Sequence, residues 1–181
     1  MIGGMPVISI ADPSLVVLVG AAGAGKSTFA ARHFARDEIL SSDAFRAIVG
    51  RGEDDQAATK AAFAALHRAA TRRLSAGRLA VVDATNVERH ARTTLVRRAR
   101  AARVPAIAIV LDLPPGVVAG RNARRAGRTV DPAVVRRHLA MVRRLAGGGL
   151  LEGERFDAVY WIREPAELDA VTVVRGVSRR A

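Results

Sequence analysis

The nine residues Gly20-Ala21-Ala22-Gly23-Ala24-Gly25-Lys26-Ser27-Thr28 stand directly behind the apolar run Leu15-Val16-Val17-Leu18-Val19 and directly ahead of a helical pattern, Phe29-Ala30-Ala31-Arg32-His33-Phe34. Strand, glycine loop and helix in that order constrain the fold more than any other feature of the chain. Glycines let the backbone wrap closely around a bulky anion, and successive N–H groups at a helix start all point toward it. The run matches the P-loop pattern in both residues and context. Its expected guest is a polyphosphate, with Lys26 reaching the outer phosphates and the Ser27 hydroxyl on Mg²⁺. ATP is therefore the expected bound nucleotide, with residues 20–28 as its cradle.

The remaining apolar runs repeat this alternation. Leu15 to Val19, Ile39 to Ser41, Leu79 to Asp83, Ala106 to Leu111 and Ala158 to Ile162 read as five strands separated by helices, which predicts a parallel sheet with both faces covered. Asp54 or Asp55 is expected to cap a helix carrying Phe63, Leu66, Ala70 and Leu74, with Gly77 at its end. Asp131-Pro132 opens another, striped by Val135, Leu139, Val142 and Ala146 and closed by Gly147-Gly148-Gly149. A third spans Glu88 to Arg103, with Ala91, Leu95, Ala99 and Ala102 inward. The expectation is a single α/β domain over residues 1–181, its core at about 7–175, with Met1 to Pro6 and Gly176 to Ala181 outside the ordered part.

A P-loop establishes nucleotide binding and leaves the reaction open, so the residues at the carboxyl ends of the strands must decide it. The second strand ends in Ser41-Ser42-Asp43-Ala44-Phe45-Arg46 and the third in Asp83-Ala84-Thr85-Asn86. Asp43 is suited to take a proton from an acceptor hydroxyl, with Arg46 one turn on to hold it, or else it caps the helix behind it. Asp83 suits the Mg²⁺ shell; the alanine after it replaces the glutamate with which ATPase motors activate water, which disfavours hydrolysis. Thr85 and Asn86 read equally as functional residues and as a turn and helix cap ahead of the Glu88 to Arg103 helix. Pro114-Pro115 opens a helix on which Arg121, Arg124, Arg125 and Arg128 are expected to share one face, as a lid over residues of about 114–146.

Net charge is +12, from 29 Lys+Arg against 17 Asp+Glu, and only Lys26 and Lys60 are lysines. Arginine grips phosphate in a two-pronged way, so polyanionic partners are favoured, although a solvated basic surface accounts for charge alone equally well. Cysteine is absent, which excludes disulfides and thiolate chemistry, and His33, His67, His90 and His138 lack metal-ligand spacing. No run approaches the roughly 20 apolar residues of a membrane helix, and a cytoplasmic protein is expected. Phe45 is the best candidate for base stacking among few aromatics, against a core role.

Gly20 to Thr28, Leu40-Ser41-Ser42-Asp43 with Arg46, Ala57-Ala58-Thr59-Lys60, Ala76-Gly77-Arg78-Leu79, Val82-Asp83-Ala84-Thr85-Asn86-Val87, Ala91-Arg92, Arg121-Asn122 with Arg125 and Arg128, and Val130-Asp131 occur in that order. Together they resemble the kinase domain of the bacterial polynucleotide kinase-phosphatase family of end-healing RNA repair. The resemblance implies an adenylate-kinase-like P-loop fold and phosphorylation of 5′-OH ends of RNA or DNA. It implies Lys26 and Ser27 on phosphates and metal, Asp43 as general base, Arg46 orienting it, and Arg121, Arg125 and Arg128 neutralising the transferring phosphate. Family members continue into a metal-dependent phosphatase and a ligase-like domain, which this sequence does not contain, so it reads as a domain of a longer parent or a stand-alone relative. A small-molecule hydroxyl kinase on the same fold, and an ATP-controlled binding module without phosphoryl transfer, remain the alternatives.

Overall fold

A computed structural model of the chain describes residues 6–49, 59–125, 129–147 and 149–177. Asp54, Asp55, Ala57, Ala58, Arg128 and Gly148 lie outside the described residues.

Among the described residues, seven strands and seven α-helices follow in the order β1 (Val7–Asp12), β2 (Leu15–Val19), α1 (Lys26–His33), β3 (Ile39–Ser41), α2 (Ser42–Val49), α3 (Thr59–Ser75), β4 (Ala80–Asp83), α4 (Arg89–Ala101), β5 (Ala106–Leu111), α5 (Pro115–Ala123), α6 (Pro132–Ala146), β6 (Ala158–Ile162), α7 (Pro165–Ala170) and β7 (Thr172–Val177). Five of the strands form the parallel sheet β3-β4-β2-β5-β6. Central β2 buries all five side chains, each contributing about 1.5–3 kcal/mol. Two apolar clusters cover the sheet. Phe29 and Ala30 of α1, Val118 of α5 and Leu168 of α7 pack in one. Leu66, Ala70 and Leu74 of α3 with Leu95, Val96 and Ala99 of α4 pack in the other. Helix α6 joins both, through Val135 and Leu139 in the first and Val142 and Leu145 in the second.

Helix ends obey their local chemistry. Gly77 closes α3 at φ 66°, its N–H donating to the Leu74 carbonyl while Arg78 N–H reaches back to Arg73 at 3.0 Å. The Asp131 carboxylate accepts from Ala133 N–H at 2.6 Å and caps α6.

The sequence reading missed a second, two-stranded parallel sheet made of β1 and β7, with Val7 opposite Thr172 and Ala11 opposite Gly176. Gly176 is therefore paired in a strand. On α6, Leu145 takes the buried place expected for Ala146. On α4 the buried stripe is Arg92, Leu95, Val96 and Ala99, rotated from the expected one because Arg92 has a buried partner, described below. No helix among the described residues is long and apolar enough to cross a membrane.

Candidate functional site

Because β2, β4 and β3 are neighbours in register, their tips meet. Asp83 ends β4 opposite Leu18 on one side and Ser41 on the other, so the glycine loop and Ser42-Asp43 emerge beside it. Gly23 has φ 84°, and a Cβ there would lie 2.6 Å from the Val118 carbonyl oxygen of α5. Only glycine fits this turn against that helix. Gly25, at φ 95°, turns the chain into α1, whose first turn carries no acidic residue to compete with an anion.

Lys26 is buried, and its Nζ donates to the Gly20 carbonyl at 2.9 Å and the Ala21 carbonyl at 2.8 Å. Burial, opposed by nearby Asp83 and aided to a lesser extent by Arg125, brings its pKa down to about 8. A buried cation in a cradle that excludes larger side chains fits a polyphosphate. The oxygens of Ser27 and Asp83 line the same cleft, and no group of three or more His, Cys, Asp or Glu gathers as a metal cage among the described residues. One hydroxyl and one carboxylate suit Mg²⁺, which is commonly held by few protein oxygens together with substrate phosphates.

The cleft has a volume of about 840 Å³. Ala22, Gly23, Gly25, Lys26, Ser27 and Thr28 form one wall, while Gly20, Ala21 and Ala24 are packed behind it. Asp43 and Arg46 form another wall, on the first turns of α2. The Asp43 carboxylate is 26% exposed and pairs with Arg46 through one oxygen and, at 3.3 Å, with Arg125 through the other.

Helix α5 ends at Ala123, so Arg124 caps it and Arg125 lies beyond it; the expected four-arginine helical face does not form. Asn122 instead shapes this region. Buried, it donates to the Val130 carbonyl at 2.7 Å and accepts from Val130 N–H at 3.2 Å, closing the segment that carries Arg125 toward Asp43. Arg121 and Arg125 both reach the cleft.

Five lining residues were missed from the sequence: Phe63 of α3, Thr129 ahead of α6, and Val134, Arg137 and His138 of α6. Val134 and His138 are four apart, beside the Val135–Leu139 stripe, and this second stripe was the available signal. Nδ1 of His138 is buried without a hydrogen bond, and burial lowers the imidazole pKa, with Arg137 and Lys26 adding and Glu88 opposing. Phe45 packs against the α3–α4 core cluster and does not line the cleft.

The loop after β4 is held from behind. Thr85 accepts from Gly20 N–H at 3.0 Å, and Asn86, at φ 47°, donates through Nδ2 to the Leu18 carbonyl at 2.8 Å. Asn86 is thus a clamp between strands, and Glu88 takes the position before α4. Buried Arg92 donates to the carbonyls of Asn86 and Val87 at 2.9 and 2.7 Å, and its other nitrogens make a two-pronged pair with Glu154 at 2.7 and 2.6 Å. A smaller cavity of about 240 Å³ adjoins the cradle, bounded by Gly25, Thr28, Arg121 and Leu168.

This architecture is similar to a putative kinase from Chloroflexus aurantiacus j-10-fl, at 20% identity over 84% of this chain and 88% of that one, with a TM-score of 0.57. It is similar to a chain of the Pnkp1/Rnl/Hen1 RNA repair complex at 23% identity and a TM-score of 0.63, over 76% of this chain and 46% of that chain. It is also similar to a gluconokinase from Sinorhizobium meliloti 1021, at 16% identity over 85% and 84% of the two chains, with a TM-score of 0.51. At such identities the likeness establishes the fold, an α/β P-loop kinase-like one. No curated protein matches the sequence. The profile of the AAA domain family matches residues 15–146, from the first strand of the main sheet through the end of α6, and the chain belongs to that family.

Proposed function

We propose that this protein transfers the γ-phosphate of ATP to the 5′-hydroxyl of a nucleic-acid end, RNA or DNA. The observation that carries the reading is the position of Asp43. Its carboxylate faces the same cleft as Lys26 and Ser27, partly open to solvent and oriented by an arginine on each oxygen.

Asp43 is placed to accept the proton that an acceptor hydroxyl loses, and Arg46 fixes its rotamer. Lys26, Arg121 and Arg125 surround the place where negative charge develops, and stabilise it by being positioned beforehand. Arg128 joins them by the sequence resemblance. Ser27 and Asp83 would hold Mg²⁺, which when bound shields the charge of the triphosphate. The smaller cavity beside Arg121 suits the nucleoside end of the donor. By this reading the protein works in the cytoplasm on polynucleotide ends.

Labelled ATP and a 5′-OH oligonucleotide test the reading. Label should enter the oligonucleotide, and Asp43→Ala should cut transfer by about 10²-fold or more with nucleotide binding retained. Absence of transfer to both RNA and DNA ends overturns it. The likeness to a gluconokinase and to a sugar kinase supports a second reading, a small hydroxyl compound as acceptor. ATP consumption stimulated by sugar acids and indifferent to oligonucleotides would establish that one.

A further inference from the structure

Charge is distributed unevenly between the two faces of the main sheet. Helices α3, α4 and α6 carry four, five and four Lys or Arg residues and no Asp or Glu at all. Some cations are matched: on the opposite face Arg32 meets Asp169 of α7 and Arg175 meets Glu38, and at the margins of this one Arg73 of α3 meets Asp37 and Arg100 of α4 meets Asp157. Arg68 and Arg72 of α3, Arg97 of α4, and Arg143 and Arg144 of α6 are exposed, and none makes an ion pair with a carboxylate among the described residues. At the seam between α3 and α4, Arg98 and His67 are electrostatic neighbours. Arg98 is part-buried with Nε lacking any hydrogen bond, and its charge, after burial, helps hold His67 below its ordinary pKa.

This face is continuous with the cleft. Phe63 of α3 and Arg137 and His138 of α6 line the cleft, and Arg143 and Arg144 follow on α6 about two turns further, roughly 10 Å along the axis. Unmatched guanidiniums side by side repel one another unless an extended anion lies against them, and a phosphodiester backbone supplies one charge per nucleotide.

We propose that the exposed face of α3, α4 and the C-terminal half of α6 is a track for the single-stranded body of a nucleic acid, whose end enters the cleft. The proposal rests on the polynucleotide reading of the site and extends it to the strand beyond the terminal nucleotide. Contacts are to phosphates, so the track is indifferent to sequence.

The test uses the full chain and fluorescent 5′-OH oligonucleotides of about 20 and about 4 nucleotides, which bracket ordinary single-strand site sizes. Anisotropy without turnover is followed across a salt series for the wild type and for Arg68→Gln, Arg72→Gln, Arg97→Gln, Arg143→Gln and Arg144→Gln combined. Each lost phosphate contact flattens the slope of log affinity against log salt by about 0.7, so the combined variant should flatten it by about 2–3.5 for the long strand. Long-strand affinity should fall at least about tenfold, with the short strand and the thermal melt unchanged. Pairwise variants, Arg68→Gln with Arg72→Gln or Arg143→Gln with Arg144→Gln, should give proportionate fractions and stand in if the combined protein is unstable. An unchanged slope and affinity for the long strand overturns the track, as does loss of binding to anionic lipid vesicles with strand binding intact. Because binding is read without ATP, long strands held by these arginines but never phosphorylated would remove the kinase reading and keep the track. Phosphorylation with no dependence on these arginines would do the reverse.

Discussion

Replacing Glu154 by Gln removes the carboxylate from the buried pair with Arg92 and leaves a guanidinium, 1% exposed, facing an amide that accepts through a single oxygen. The original geometry is two-pronged, at 2.7 and 2.6 Å, with both side chains almost wholly enclosed. Stripping one partner from such a pair strands a charge away from water and costs about 3–5 kcal/mol. With a urea slope of about 2 kcal/mol/M, the unfolding midpoint should fall by about 1.5–2.5 M. The same change at the exposed Arg32–Asp169 pair, 3.7 Å apart and 44% and 68% exposed, should cost under about 1 kcal/mol. Chemical denaturation of Glu154→Gln and Asp169→Asn side by side measures the contrast. Replacing both partners, Arg92→Leu with Glu154→Leu, should recover part of the stability because no charge is left buried. It should not recover nucleotide affinity, since the carbonyls of Asn86 and Val87 lose the donor that sets the loop clipped to Gly20. A Glu154→Gln cost below about 1 kcal/mol, or full nucleotide affinity in the double variant, would refute the reasoning.

Two further outcomes follow from the cradle. Burial depresses the Lys26 pKa to about 8 from 10.5, so between those values the unfolded chain holds more protons at this site, and its contribution to stability rises with pH there. A bound polyphosphate favours the charged amine, so ADP binding between about pH 8 and 10 should take up protons. Titration calorimetry in buffers of differing ionisation enthalpy should show the uptake in wild type and none in Lys26→Met. Gly23→Ala should lose nucleotide binding and about 2 kcal/mol or more of stability, because φ 84° disfavours a side chain and its Cβ would meet the Val118 carbonyl at 2.6 Å. Gly116→Ala, with open space around it inside α5, should instead raise stability by about 0.5–1 kcal/mol in the same thermal melts.

What could be read from the sequence was whatever a short stretch decides alone. The strands Leu15–Val19, Ile39–Ser41, Ala106–Leu111 and Ala158–Ile162 were read with the bounds they adopt, because continuous apolar runs between turn signals leave few alternatives. The glycine loop, the Asp131 cap and the Gly77 stop were equally local, each set by one residue's own φ or its own side chain. That Asp43 and Asp83 lie at one cleft was legible because a parallel sheet brings its strand tips together, a rule of topology that needs no contact information.

Folding decided whatever needed a partner distant along the chain. Arg92 stood outside the expected apolar stripe of its helix, and only Glu154, 62 positions away, gives its charge a place to be buried. Arg125 met Asp43 across 82 positions, and only where α5 actually stops shows that this arginine arrives from beyond the helix. Strands β1 and β7 lie near opposite ends of the chain, and neither shows an apolar run strong enough to announce a strand without the other. Hydrophobic periodicity and capping act over a few residues, so they are written in the local sequence. Ion pairing, strand pairing and the lining of a cleft depend on distances through space, and those exist only once the whole chain has packed.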